Sequence, residues 1–524
     1  MSLHALHRPH RRGRPRSRAA LLSAALCAVL PLTALTALAG PPGAGAAEDP
    51  PVAPTLRLSM PARQVVESWG PRVYTDLGIR LLVEGADLEV HLNRSSYDDP
   101  ITASLKLSDG SLRTLGDDLT PTLNRLRRFL VLRFEPLGDR EPFTRGLRAC
   151  LGQVSDRVDP DAAPSSPYPR YCYYNPYSLG AVQGIPAGYA GTIGDPWRRM
   201  EIPRGRYDVS VTVARRWAAA LGMSQDQRTA TTRLVVRKEP SCGVFLRGCR
   251  PHPTRPARPD AELRPSAVRP TPARAVDPGD LPPDTPQPDL RALPAWGLQI
   301  SRNGNFLQFA ATVWNAGDSP LVVDGFRRSG EDLMDGYQYF FDAEGHQLPD
   351  YVRVGSFEWD PKRTHQHWHF RSFASYSLLP VGERPDVAGE HDHGVESRKE
   401  AFCLANTDAV DLTVDGAVWN VDNSDLSTAC GDLDSLSIRE VLDSGWGDTY
   451  AQFRAGQSFK LRGLPNGCYN IWVEGNPIAH EATGARTLIE SDYTNNISSR
   501  KVCIGGKDGA RTIRRVEQIG LVQE

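Results

Sequence analysis

The chain has 524 residues, which is too long for one hydrophobic core, so more than one domain is expected. Its 61 basic and 62 acidic residues leave a net charge of −1, with no basic patch beyond the amino terminus. This balance gives nucleic-acid binding no electrostatic support, and we expect no nucleic-acid partner.

The first 47 residues have the features of a signal peptide. Six arginines from Arg8 to Arg18 precede an apolar stretch from Ala19 to Ala39, and Ala44-Gly45-Ala46 offers a cleavage site. A membrane anchor is the alternative, because the apolar stretch is long enough to cross a bilayer. Pro31 and the Ser/Thr content disfavour a stable span. We therefore expect a secreted, extracellular protein with no stable membrane span after signal removal.

Short strand-like stretches dominate residues 53–250. Alternation of apolar and polar residues predicts strands within 78–92, 128–134 and 206–213, with one helix near 214–221. A β-sandwich is the simplest packing for such strands. A tyrosine-rich loop from Tyr168 to Tyr177 is typical of loop packing, with a carbohydrate-binding platform as the alternative. The sequence assigns this N-terminal domain no function.

A proline-rich stretch separates this part from the rest of the chain. Thirteen prolines lie between Pro251 and Pro294, and we assign residues 251–288 to an extended linker. Residues 289–524 are again rich in strand signals, for example at 306–314 and 469–473. The sequence thus predicts an all-β protein with two β-rich domains.

Cysteine usage points to disulfides. Signal removal would leave eight cysteines, four on each side of the proline-rich stretch, and an even number in an exported chain favours pairing. Each half allows three connectivities. We predict the pairs closest in sequence, which are 150–172, 242–249, 403–430 and 468–503.

Three of the 12 histidines, His365, His367 and His369, occupy alternate positions in one short run. In an extended strand they share one face, while Gln366, Trp368 and Phe370 face the core. Imidazole is a common ligand of copper and zinc, and three histidines leave a coordination position open for water or substrate. The run predicts a catalytic metal site, with a metal-free histidine-rich surface strand as the alternative.

The surroundings of this run resemble the lysyl oxidase family. Four segments match its motifs in order, and the resemblance extends over about residues 281–504. The segments are an HQHxH core with a following F-x-x-Y-x-L-L pattern (Trp359–Leu379), K-x-x-F-C-L (Lys399–Leu404), D-x-Y (Asp448–Tyr450) and E-S-D-Y-[ST]-N-N (Glu490–Asn496). The resemblance implies a secreted, bacterial-type member with an extra N-terminal domain. It also implies copper as the metal of the three histidines.

In this family a lysine and an oxidised tyrosine form lysine tyrosylquinone, and the resemblance assigns these roles to Lys399 and Tyr450. The implied activity is oxidation of primary amines by molecular oxygen to aldehydes, ammonia and hydrogen peroxide. Peptidyl lysine, polyamines and simple alkylamines all remain candidate substrates. Asp448 is the candidate general base, and a non-catalytic aspartate at a strand end is the alternative.

Three positions depart from the animal pattern. Thr364 replaces a cysteine, and Ser375 and Arg398 replace histidines that are a candidate base and a candidate metal ligand. His391 and His393 lie close enough in sequence to Lys399 to substitute for them. The base and the fourth copper ligand therefore stay open.

A second metal site is implied by the last motif. The family places a calcium-like site there, joined by an Asp-Leu pair at the domain entry, and the oxygen ligands suit calcium. The expected ligands are Asp289, Leu290, Glu490, Asp492, Asn495 and Asn496. A polar turn without a metal is the alternative. For the whole chain, the alternative to an amine oxidase is a non-catalytic secreted copper-binding or surface-attachment protein on the same fold.

Overall fold

The computed structural model describes most of the chain beyond the amino terminus. The described residues are 52–68, 72–74, 77–119, 121–172, 175–194, 199–238, 275–328, 331–361, 366–385, 395–396, 401–423, 426, 428–433, 435–478 and 486–519. Among them 51% lie in strands and 4% in helices, which confirms the predicted all-β class. We call residues 52–238 the first region and residues 275–519 the second region. The expected signal peptide lies outside the described residues.

The first region is built from antiparallel sheets with one parallel pair. Its strands are β1 (Thr55–Ser59), β2 (Arg63–Ser68), β3 (Arg72–Tyr74), β4 (Arg80–Glu84), β5 (Leu88–Asn93), β6 (Thr102–Lys106), β7 (Leu112–Leu115), β8 (Leu126–Pro136), β9 (Phe143–Ala149), β10 (Ser155–Arg157), β11 (Gly180–Ile185), β12 (Tyr189–Thr192), β13 (Arg199–Glu201), β14 (Gly205–Val213) and β15 (Thr229–Lys238). The helix α1 (Arg215–Ala220) and a 3-10 turn at Asp117–Leu119 complete it.

These strands form four sheets around one core. The sheet orders are β1-β4-β12-β10, β11-β5-β6-β7, β13-β3 and β2-β15-β14-β8-β9, with β2 parallel to β15. Alternate residues of β14 are buried from Tyr207 to Val213, and Leu81, Leu105 and Phe134 meet them in the same core. The predicted strands and the predicted helix near 214–221 are therefore confirmed in this region.

The second region also consists of strands. They are β16 (Ala275–Val276), β17 (Leu290–Ala292), β18 (Trp296–Ile300), β19 (Phe306–Asn315), β20 (Leu321–Arg327), β21 (Leu333–Phe341), β22 (Gln347–Asp360), β23 (His367–Phe370), β24 (Ala374–Pro380), β25 (Val395–Glu396), β26 (Asp408–Ala409), β27 (Ser437–Leu442), β28 (Trp446–Tyr450), β29 (Ser458–Lys460), β30 (Gly467–Gly475), β31 (Ile497–Lys507) and β32 (Ala510–Val516). Short 3-10 turns lie at Pro278–Asp280 and Val421–Asn423.

Three sheets carry the second core. Their orders are β16-β22-β21-β20-β27 with β23 on β22, β17-β19-β28-β26 with β18 and β29 on β19, and β25-β24-β30-β31-β32. Phe309, Phe357, Trp368 and Ile471 are fully buried in this core.

The predicted linker ends earlier than expected. β16 pairs in parallel with β22, and Val276 and Leu281 pack against the second core. These apolar residues interrupt the proline-rich composition and fix the end of that segment to the sheet. Residues 275–276 and Leu281, which the sequence placed in the extended linker, therefore contact the rest of the second region.

Three predicted disulfides are present, Cys150–Cys172, Cys403–Cys430 and Cys468–Cys503. The fourth predicted pair, 242–249, lies outside the described residues. Cys468 and Cys503 are directly opposite each other on β30 and β31, so sheet register brings them together.

Candidate metal and tyrosine site

The histidine strand β23 brings two imidazoles together. His367 and His369 pair with Asp360 and Glu358 of β22, and their Nε2 atoms lie 2.9 Å apart. On the opposite face Trp368 and Phe370 are fully buried, as predicted. This apolar anchor holds the strand in place while His369, itself only 2% exposed, and the half-buried His367 share the other face.

The alternating pattern stops at Gln366. Its φ of 50° is left-handed, and its side chain is exposed. The prediction that Gln366 faces the core in a continuous extended run was therefore wrong, because a left-handed residue cannot continue a strand. His365 lies just outside the described residues, so the structure gives two of the three predicted ligands.

The carboxylate of Asp360 lies next to the histidine pair, on the Nδ1 side of His369. Asp360 Oδ2 lies 3.6 Å from His369 Nδ1, and the Asp360 side chain is buried. Metal-binding histidines commonly direct their second ring nitrogen at such a group, which leaves Nε2 to face the metal. Metal–nitrogen bonds are about 2.0–2.1 Å long, so one ion can bind both Nε2 atoms. The donor set therefore fits copper.

The candidate tyrosine lies on β28, between β19 and β26. Tyr450 Oη accepts a hydrogen bond of 3.1 Å from the backbone N–H of Cys403, and its ring meets the Phe402 ring edge-on with centroids 4.6 Å apart. Burial, and then the negative charge of Asp448, hold the pKa of Tyr450 well above its usual range. The phenol is thus neutral and fixed in orientation.

Backbone contacts connect the tyrosine to the histidine strand. Phe402 and Phe370 exchange two backbone hydrogen bonds, of 2.6 and 2.9 Å, and Phe370 directly follows His369. The Trp368 N–H donates to the carbonyl of Cys430, whose disulfide partner Cys403 donates to Tyr450. The segment that holds the phenol is therefore attached to the strand that holds the imidazoles.

Asp448 shares β28 with Tyr450, two residues away, and is 3% exposed. Its charge contributes to the raised pKa of Tyr450, of Glu440 and of the buried Tyr376. These groups form a buried cluster of carboxyls and phenols, which suits a group that must accept a proton away from bulk water.

Glu440 was not predicted as part of this cluster. It is fully buried, its Oε2 accepts a 2.9 Å hydrogen bond from the Leu404 N–H, and burial raises its pKa well above the usual range. Its carboxylate also approaches the sulfurs of Cys403 and Cys430, but these are joined in a disulfide and do not form a metal site with it. The one sequence signal was an acidic residue directly before the apolar pair Val441 and Leu442 at the end of a strand.

Other candidate residues lie outside the described part of the chain. These are Thr364, the cross-linking candidate Lys399, its neighbour Arg398, and the two candidate substitutes His391 and His393. Their roles remain predictions.

The predicted calcium ligands do come together. The Leu290 N–H and the amides of Asn476 and Asn496 donate to Glu490, and Asn495 donates to Asp289 and Asp492. Burial raises the pKa of Glu490 to about 7.

Two oxygens of this cluster fit a bound cation. Asn495 Oδ1 and Asn496 Oδ1 are buried and lack a hydrogen-bond donor among the described residues. One competing contact exists, because Arg291 pairs with Asp289 Oδ2 at 2.6 Å. Hard oxygen ligands with two unsatisfied carbonyls fit calcium.

No family model matches the chain, and no curated protein is detectably similar to it. Within the described residues, no helix has the length and apolar character needed to cross a membrane.

Proposed function

We propose that this chain is a secreted copper-dependent amine oxidase of the lysyl oxidase type, which converts primary amines to aldehydes with release of ammonia and hydrogen peroxide. The observation that carries this proposal is the 2.9 Å approach of the His367 and His369 Nε2 atoms on a strand attached to the segment that holds Tyr450. The three disulfides suit an oxidising compartment outside the cytosol.

His367 and His369, completed by His365, would hold the copper. Asp360 would keep the His369 ring in the orientation that directs Nε2 outward. When bound, copper and the lysine tyrosylquinone made from Lys399 and Tyr450 would supply the electron acceptor for amine oxidation by oxygen.

Chain connectivity supports the pairing of Lys399 with Tyr450. Lys399 lies four residues before Cys403, whose N–H donates to the phenol oxygen. Four residues span at most about 14 Å when fully extended, so the lysine is confined to the neighbourhood of the tyrosine. Phe402 and Cys403 hold the ring in a fixed orientation, which favours one direction of attack by the amine.

Asp448 would accept the proton from the carbon next to the substrate nitrogen. It projects from the same strand as Tyr450, and its burial keeps competing water away. Calcium would have a structural role, because its ligands join the segment of Asp289 and Leu290 to the segment before β31.

The competing function is a non-catalytic copper-binding or surface-attachment protein. Copper loading in air followed by phenylhydrazine separates the two, because only a protein-derived carbonyl cofactor gives a coloured adduct. We expect the adduct in the native chain and its loss, with copper retained, in Lys399→Arg and Tyr450→Phe. Guanidinium stays protonated and cannot attack a ring, and phenylalanine lacks the phenol oxygen.

The matched control is Lys460→Arg, which changes an exposed lysine elsewhere in the second region. It should leave adduct and peroxide production unchanged. A native chain that binds copper but gives no adduct would contradict the proposed oxidase. An active Lys399→Arg variant would contradict the assigned cofactor.

A further inference from the structure

A buried polar network lies behind the strand that carries Tyr450, on the face opposite its ring. Thr449 stands directly across from Thr312, and their hydroxyls lie 2.6 Å apart. Asn175 of the first region donates to Thr312 Oγ1 at 3.2 Å and to Asp408 Oδ2 at 2.6 Å. Asn175, Thr312 and Asp408 are buried, and Thr449 is half-buried.

Each hydroxyl proton in this network has a defined destination. Thr312 receives the Asn175 amide and the Trp296 indole N–H, so its own proton goes to Thr449. A hydrogen bond from Thr449 offsets part of the rise that burial causes in the pKa of Asp408. The Thr449 backbone N–H donates to Thr407 at 2.6 Å. Thr449 is thereby held through both its side chain and its backbone.

The loop that carries Asn175 is fixed to the second region at further points. The Tyr168 ring stacks on Trp419 with centroids 5.8 Å apart, and Asn420 donates to the carbonyl of Ser166. Ser178 Oγ donates to the carbonyl of Ala409, next to Asp408. These contacts show that Tyr168 serves packing between the regions, as the loop-packing interpretation predicted. They also make Asn175 a fixed support for β28.

We propose that Asn175 and Asp408 are positioning residues that set the register and rotation of β28 through Thr449. Alternate residues of a strand face opposite sides, so fixing Thr449 on one side fixes Asp448 and Tyr450 on the other. The first region is then a working part of the catalytic unit, not an independent attachment module. The catalytic part of this inference rests on the proposed function.

Swapping the amide and carboxyl groups of Asn175 and Asp408 tests this positioning role in the full-length chain. Asn175→Asp places two carboxyl groups face to face, and combining it with Asp408→Asn restores an amide–carboxyl pair in the reverse direction. Asn420→Asp is the matched control, because it makes the same change at the same boundary without touching β28. The measurements are copper content, the rate of phenylhydrazine-reactive cofactor formation, and hydrogen exchange of the peptide covering residues 446–450.

We expect Asn175→Asp to keep copper, to slow cofactor formation by about tenfold or more, and to speed exchange in that peptide. The double variant, Asn175→Asp with Asp408→Asn, should regain the native rates of cofactor formation and of hydrogen exchange. If Asn175→Asp does not fold, Thr449→Val removes the central hydroxyl at nearly constant volume and should give the same two changes.

Three results would overturn the positioning role. They are unchanged hydrogen exchange in Asn175→Asp, a double variant that does not regain the native rates, and an equal effect of Asn420→Asp. Absence of the cofactor in the native chain would refute the oxidase instead, while exchange in residues 446–450 would still decide whether Asn175 supports the strand.

Discussion

The two regions differ in how many carboxylates they bury and in the pKa values of these groups. Among its described residues the first region buries one, Glu89, and although burial opposes its charge, hydrogen bonds from His91, Lys106 and Tyr168 bring its pKa below the usual value. The second region buries many more. They are Asp289, Asp335, Asp360, Asp408, Asp411, Glu440, Asp443, Asp448 and Glu490.

In four of these the effect of burial dominates. Burial raises the pKa of Asp408, Glu440, Asp443 and Glu490, and the hydrogen bonds each accepts offset only part of that rise. Burying an acid without full compensation destabilises a fold, so such clusters mark candidate functional sites. The buried carboxylates whose pKa values are raised thus all lie in the second region, among the described residues.

The largest expected effect comes from the histidine pair. His367→Ala with His369→Ala should abolish stoichiometric copper binding while the chain stays folded, because Trp368 and Phe370 still anchor β23. Metal analysis and the copper electron paramagnetic resonance spectrum measure the loss. His346→Ala, which alters an exposed histidine, should bind copper normally. Stoichiometric copper in the double variant would show that the ligands lie elsewhere.

Calcium should stabilise the second region through its carboxylate and amide oxygens. At one hundred times its dissociation constant, a ligand of the folded state adds about 2.7 kcal/mol of stability. Thermal unfolding with and without calcium should show this shift, and a chelator should reverse it. Asp492→Asn should reduce the response, while Asp226→Asn, a similar exposed turn aspartate in the first region, should not. An identical response in Asp492→Asn would exclude Asp492 as a ligand.

A smaller effect should follow from Asp443, which is 1% exposed and bonded to Asn406. Burial raises its pKa from 3.8 to about 6, so its contribution to stability is present below about pH 4 and is lost as the pH rises through 6. Asp443→Asn should flatten this part of the pH profile and stabilise the fold at pH 8 by about 1–3 kcal/mol.

Denaturant unfolding between pH 4 and 8 measures this difference. The control is Asp109→Asn, because hydrogen bonds from Ser111 lower the pKa of this exposed group and give no such gain at high pH. An Asp443→Asn profile parallel to that of the native chain would show that Asp443 does not titrate in this range.

Local patterns predicted the fold better than the site. Alternation in residues 206–213 and the apolar run at 306–314 predicted strands that the structure contains. Both patterns are formed by neighbouring residues, so they can be recognised without knowing the tertiary contacts. The same rule failed at Gln366, whose left-handed backbone follows from the entry into β23 and not from its residue type. The sequence predicted that His367 and His369 share one face of a strand, but it did not predict that the strand begins only at His367.

Contacts between residues that are distant in sequence escaped prediction where no motif linked them. Asn175 and Asp408 are 233 residues apart, and nothing near either residue indicates the other. Glu440 becomes important only because Leu404 and Asp448 are folded around it. Such burial depends on tertiary packing between distant segments, which local sequence patterns do not reveal.

The central claim is that Lys399 and Tyr450 become one cofactor on a copper site, and peptide mass spectrometry tests it most directly. After copper loading in air and proteolysis, we predict a cross-linked peptide pair joining Lys399 to Tyr450, which is absent from copper-free protein and from Tyr450→Phe. Copper-loaded, folded native protein that yields both residues in unmodified, separate peptides would contradict the account.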